Sequence, residues 1–161
     1  MTIENIKQLM DGLDIAALLP DIMKIINGAA WLAQILLFVA PLILLGLGMY
    51  YFLLAPKEAN FITGYRCYFG MGSEIAWRFT QRLAGVIWVL AGITMTLGVV
   101  LLRPRLAAMD VSQLLWTCIF CLLFEGAIIL VLRLLIHFIV LLRYDRKGNK
   151  RLSWAQLWKG Y

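Results

Sequence analysis

Between Ala29 and Leu54 the chain runs for 26 residues without a charge. As a helix that run rises about 39 Å, more than the ~30 Å of hydrocarbon in a bilayer. A soluble fold of this size has no way to hide such a stretch, so the first constraint is a membrane span. Composition agrees with it. Hydrophobic residues make up 63% of the 161 and charged residues only 15%, whereas a soluble domain carries roughly 45–50% apolar residues. At this length one domain is the natural unit.

Two further runs follow. The second span is placed at 83–102, with Gly85 and Gly92 seven residues apart on one face, where a neighbouring helix could approach closely. Arg103, Pro104 and Arg105 are expected to stop it. The third is placed at 112–142. From Val111 to Leu142 there are 32 residues, about 48 Å as one helix, so it must tilt or partly leave the bilayer. Pro41 falls in the middle of span one, where it frees a backbone carbonyl and bends the helix. Trp31 at one end, with Tyr50 and Tyr51 at the other, fits an aromatic belt.

The predicted fold is an all-α membrane protein with three transmembrane helices. Residues 1–28 form an N-terminal amphipathic segment, 29–142 the membrane domain with a polar loop at 55–82, and 143–161 a basic tail. In the N-terminal segment Ile3, Ile6, Met10 and Leu13 recur at helical spacing, and Pro20 suits the first turn of a second short helix. Ser153 is placed to cap a short interfacial helix carrying Trp154, Leu157 and Trp158. The first ten residues lack the basic start and cleavage site of a secretory signal, and neither end carries a lipidation motif. The spans are therefore the expected anchor. The 55–82 loop and the tail hold ten Lys and Arg, against four in the N-terminal segment and the 103–110 loop. The positive-inside rule then puts the loop and tail in the cytoplasm and the N-terminus outside.

The loop carries the information. It reads Gly64-Tyr65-Arg66, then Gly70-Met71-Gly72-Ser73, then Trp77-Arg78-Phe79-Thr80-Gln81-Arg82, and span two opens with Gly85. Ser73 followed by Glu74 to Gln81 reads as a capped helix start leading directly into span two. Asn60 to Thr63 reads as strand-like, with Gly64 permitting a tight exit. Arg78 and Arg82, four apart, can both face lipid phosphates, and Glu74 is available to Arg66. Together these describe a folded cap as well as a juxtamembrane helix with positive-inside arginines. The pattern resembles the signature of the SdpI-type immunity-protein family of bacterial membrane proteins. Pro56, Gly64, Tyr65, Arg66, Met71, Ser73, Trp77, Phe79, Arg82 and Gly85 fall on it without gaps, over about residues 50–102. Cys67 stands where the family usually has Thr, Gly70 where it has Ser, and Gln81 where it has Asn or His. The resemblance implies a non-enzymatic inner-membrane protein that protects against a membrane-active peptide toxin and passes a signal to a regulator. It makes Gly64, Tyr65, Arg66, Met71, Ser73, Trp77, Gln81 and Arg82 the candidate ligand or partner contacts.

Glu125, Arg133 and His137 lie inside span three. An ionisable group within the membrane is a functional-site hypothesis by default. Glu125 is deep under any register. Arg133 and His137 are four apart on one face, and Arg133 can snorkel to the headgroups. A hydrogen bond from Thr94 or Thr96 across the bundle would account for Glu125 structurally; a proton or ligand role is the alternative. Cys67, Cys118 and Cys121 read as small packing residues, since the CxxC of the last two lacks further ligands nearby. No metal, cofactor or nucleic-acid partner is expected. No His cluster, Ser-His pair with a third partner, or Gly-rich phosphate loop points to an enzyme. The expected partners are the lipid bilayer, a peptide toxin, a regulator or another membrane subunit. The other function class to weigh is therefore a small accessory subunit of a membrane complex or transporter.

Overall fold

The computed structural model describes residues 15–59 and 62–151. The residues before 15 and the Ser153-capped tail helix lie outside the described residues. Helix α1 covers Ile15–Met49 and widens into a π-helical turn at Tyr50–Leu54. A short 3-10 helix follows at Tyr68–Met71, then α2 at Glu74–Ala107 and α3 at Val111–Arg143. Among the described residues three stretches are long and apolar enough to cross a membrane: Pro20–Leu54, Glu74–Ala107 and Val111–Arg143. The described residues contain no strand, only an isolated bridge between Tyr144 and Lys150. The predicted all-α, three-span fold is what the chain adopts.

Element ends differ from expectation in two places. No break separates an N-terminal segment at 28 from span one, because α1 is continuous through both Pro20 and Pro41. Each proline removes one backbone bond, to the carbonyl four residues before it. Within a long apolar helix a single lost bond does not end the run, since propagation is cheap once the helix is nucleated. Likewise Arg103-Pro104-Arg105 does not stop α2, which continues to Ala107. Leu106, 2% exposed, packs into the core and holds that last turn in place. The expected strand-like segment before Gly64 is, at Ile62 and Thr63, a bend.

Glycines set the α1–α2 distance. A Cβ on Gly85 would lie 2.8 Å from the Phe52 nitrogen and 3.0 Å from the Gly48 carbonyl oxygen. One on Gly92 would lie 2.9 Å from both the Leu45 nitrogen and the Pro41 carbonyl oxygen. The two backbones touch at these points, which dispersion rather than hydrophobic exclusion must reward inside lipid. The small face predicted on span two is thus used, by the chain's own first span.

Two apolar cores result among the described residues. One, near the loop, gathers Leu44, Trp88, Ile136, Val140 and Tyr144. The other, toward the far end, gathers Leu37, Val99, Leu106, Leu114 and Cys118. Where they meet, α3 stands away from α2 and leaves a cavity of about 710 Å³.

Candidate functional site

The cap is built by the first two turns of α2 and the chain that returns to them. Ser73 is the N-cap: its Oγ accepts from the Ala76 N–H at 3.2 Å. That start orients Trp77 and Gln81, one turn apart, toward the incoming backbone. Trp77 is fully buried, and its Nε1 donates to the Pro56 carbonyl at 2.7 Å. Gln81 closes both backbone groups of Tyr65. The Tyr65 N–H donates to Gln81 Oε1 at 2.7 Å, and Gln81 Nε2 donates to the Tyr65 carbonyl at 2.8 Å. The amide acts as a one-residue strand partner for a segment without a sheet. Gly64 lies between them at φ 97, and a Cβ there would come within 2.7 Å of the Trp77 ring. Both the left-handed backbone and the ring contact require glycine.

The departures from the family pattern have local explanations. Gly70 is buried against Thr80, where a side chain would collide with the threonine hydroxyl. Cys67 is buried in the core, and that burial pushes its thiol above the ordinary value, so it stays protonated and packs. Gln81 keeps the donor and the acceptor that an Asn would offer. Met71 closes the 3-10 turn, its N–H donating to the Cys67 carbonyl at 3.1 Å.

Tyr65 joins the cap to α3. Its ring packs on Trp88 and Tyr51, and its hydroxyl donates to the Arg133 carbonyl at 3.4 Å. Burial pushes that hydroxyl up to about 12, with Arg133 partly offsetting it, so it remains a neutral donor. Beside Tyr65 a cleft of about 450 Å³ opens between α1 and α3. Its floor includes Ala40, Ile43 and Leu47, and Arg66 and Arg133 stand at its mouth. Arg82 is exposed. Arg78 pairs with Glu74 on the same helix, so that arginine is not a free lipid contact, and this exposed pair adds little stability.

One part of the cap lies outside the residues the sequence singled out. Tyr144 to Arg151 folds into a tight turn. The Asp145 Oδ1 accepts from the N–H groups of Lys147 at 2.9 Å and Asn149 at 2.8 Å, and Gly148 takes φ 77. The backbone bonds to Asp145 hold its carboxyl below the ordinary aspartate value. The turn docks on the cap: Ser73 Oγ donates to the Gly148 carbonyl at 2.8 Å, and Gly148 has no room for a side chain against Ser73. Phe79 packs on Tyr144 with ring centres 5.5 Å apart, and the Arg143 guanidinium sits 4.4 Å above the Phe79 ring. Asp145-Arg146-Lys147-Gly148-Asn149 carried the signal of an Asx turn with glycine at the left-handed position. Reading residues 143–161 as a tail missed it.

The polar residues of α3 are not brought together. Arg133 is exposed at the cleft, and His137 is half-buried one turn beyond it. Glu125 is 6% exposed, and its Oε2 has no hydrogen-bond partner. The cross-helix bond expected from Thr94 or Thr96 is not formed. Thr94 donates to the Leu90 and Ala91 carbonyls at 3.0 Å, and Thr96 to the Gly92 carbonyl at 2.7 Å. Each hydroxyl reaches its own helix first, as Ser and Thr commonly do in apolar surroundings. Among the described residues no cluster of three or more His, Cys, Asp or Glu could hold a metal ion.

Residues 57–141 match the model of the SdpI/YfhL protein family, just over half of the chain. The match takes in the cap, α2 and nearly all of α3, and leaves out the turn that seals the cap. No curated protein and no solved structure matches the chain.

Proposed function

Because the chain belongs to the SdpI/YfhL protein family, we propose that it is a non-enzymatic immunity protein of the bacterial inner membrane. It protects its cell against a membrane-active peptide toxin and passes a signal to a regulator. The observation that supports this reading is the cleft beside the cap. Two arginines stand over an apolar floor formed by two spanning helices, at the place where a peptide lying in the interface would arrive. Burial of Trp77 and the Gln81 clasp keep the cap's own polar groups occupied, which leaves the cleft mouth as the side presented to a partner. The test is a strain lacking the chain, challenged with culture supernatants of its own and related strains. It should die where the complemented strain survives, and Arg133→Gln should fold normally yet fail to complement. Equal survival of the two strains in every supernatant would sink the reading.

The reading as an accessory subunit of a membrane complex or transporter loses its main support. The glycine face of α2 that a partner helix would need is already filled by α1.

The orientation belongs to the same proposal. Cap and turn meet at one end of the bundle, and the excess of Lys and Arg on that end favours the cytoplasm. Gly148 is packed, so the reporters are Lys147→Cys and Ala108→Cys, both exposed positions. Impermeant thiol reagent applied outside should reach Ala108→Cys alone. Labelling at Lys147→Cys with Ala108→Cys shielded would mean the inverted topology.

A further inference from the structure

The cavity of about 710 Å³ lies away from the cap, in the seam between α2 and α3 with Leu37 of α1 behind it. Val99 and Phe124 are typical of its wall, and the polar residues on it are Thr94, Thr117 and Glu125. The hydroxyl protons are spoken for. Thr94 donates to its own helix, and Thr117 donates to the Met109 sulfur at 3.5 Å. The Glu125 Oε2 is buried and accepts from nothing. With the Glu125 carboxyl ionised, what the wall offers is acceptors: two threonine oxygens and a carboxylate. Cys121 adds only a weak thiol donor. A buried acceptor with no donor is costly, and inside a bilayer no bulk water relieves it.

We infer that this cavity is a binding site for a single-chain lipophilic molecule whose head donates a hydrogen bond, such as a long-chain alcohol or protonated amine. The chain fills the apolar seam, and the head donates to Glu125. An ester or ether of the same length has no donor to offer the Glu125 carboxylate. Entry is lateral from the bilayer, because the seam between two spanning helices faces lipid. The inference is independent of the toxin reading, which concerns the cleft between α1 and α3.

The test uses a dodecanol carrying an alkyl diazirine, photolysed with the full chain in phosphatidylcholine vesicles, with labelled residues mapped by mass spectrometry. Labelling at Met95, Val99 and Phe124 should be competed at least tenfold better by dodecanol or dodecylamine than by dodecyl methyl ether. Glu125→Leu should erase that preference while remaining folded, with a cooperative melting transition no lower than the parent's. Glu125→Gln, whose amide oxygen accepts but whose NH2 can also donate to an ether oxygen, should still take dodecanol with a smaller preference over the ether. Equal competition by the ether, an unchanged preference in Glu125→Leu, or no competition at all would each overturn the proposal. The seam would then hold lipid tails without selection.

Discussion

Trp77→Ala should cost the protein about 3 kcal/mol and open the cap. The indole is fully buried, so truncation removes its apolar contacts and leaves a cavity under Gly64. It also strands the Pro56 carbonyl, which loses its donor at 2.7 Å. Trp77→Phe separates the two contributions. It keeps most of the ring and should lose only about 1 kcal/mol, the cost of leaving the half-buried Pro56 carbonyl without its donor. Detergent melting of the three proteins is the measurement, with proteolysis near residue 59 as a second readout of the opened cap. A Trp77→Ala variant that melts with the parent protein would reduce the cap to a linker.

Glu125→Leu should act in the opposite direction and raise the melting temperature. If Thr94 or Thr96 donated to Glu125, Leu would strand a hydroxyl and be worse than Gln. Both hydroxyls are instead bound within α2, so Leu strands nothing. It removes an orphaned acceptor, a cost of about 1–3 kcal/mol, and sets an apolar side chain in an apolar seam. Glu125→Gln keeps a polar atom at the same place and should change little. The informative order is therefore Leu above Gln and Gln near the parent in the same melting series. Leu falling below Gln would mean that a partner for the carboxyl exists.

How much of this was legible beforehand follows the range of each interaction. The spans were readable because lipid allows few alternatives to a helix for an uncharged run like 29–54. The Gly85–Gly92 face and the Ser73 cap were readable because both depend on fixed short spacing. That Trp77 and Gln81 share one side of α2 follows from their four-residue spacing. Their acceptors at Pro56 and Tyr65 needed the loop's path, which no local pattern encodes. Helix ends were misjudged at Pro20 and Pro104 because proline weakens a helix by one bond while the apolar run around it continues. Glu125 was seen as costly, but its surroundings depend on how far α3 stands from α2, a packing distance set by many side chains at once. The turn at Asp145 to Asn149 was readable in principle and was passed over because its charges suited a solvated tail.

The contact between Ser73 and Gly148 joins residues made 75 positions apart, with two membrane crossings between them. During synthesis the cap emerges first and waits, its Ser73 rim uncovered, until both α2 and α3 have been threaded. Only an antiparallel pair delivers the turn to that rim. If α3 stalled on the surface or entered the wrong way, Gly148 would finish on a different side or at a different depth, and the rim would stay open. Cap closure thus depends on both later crossings having been completed in antiparallel order.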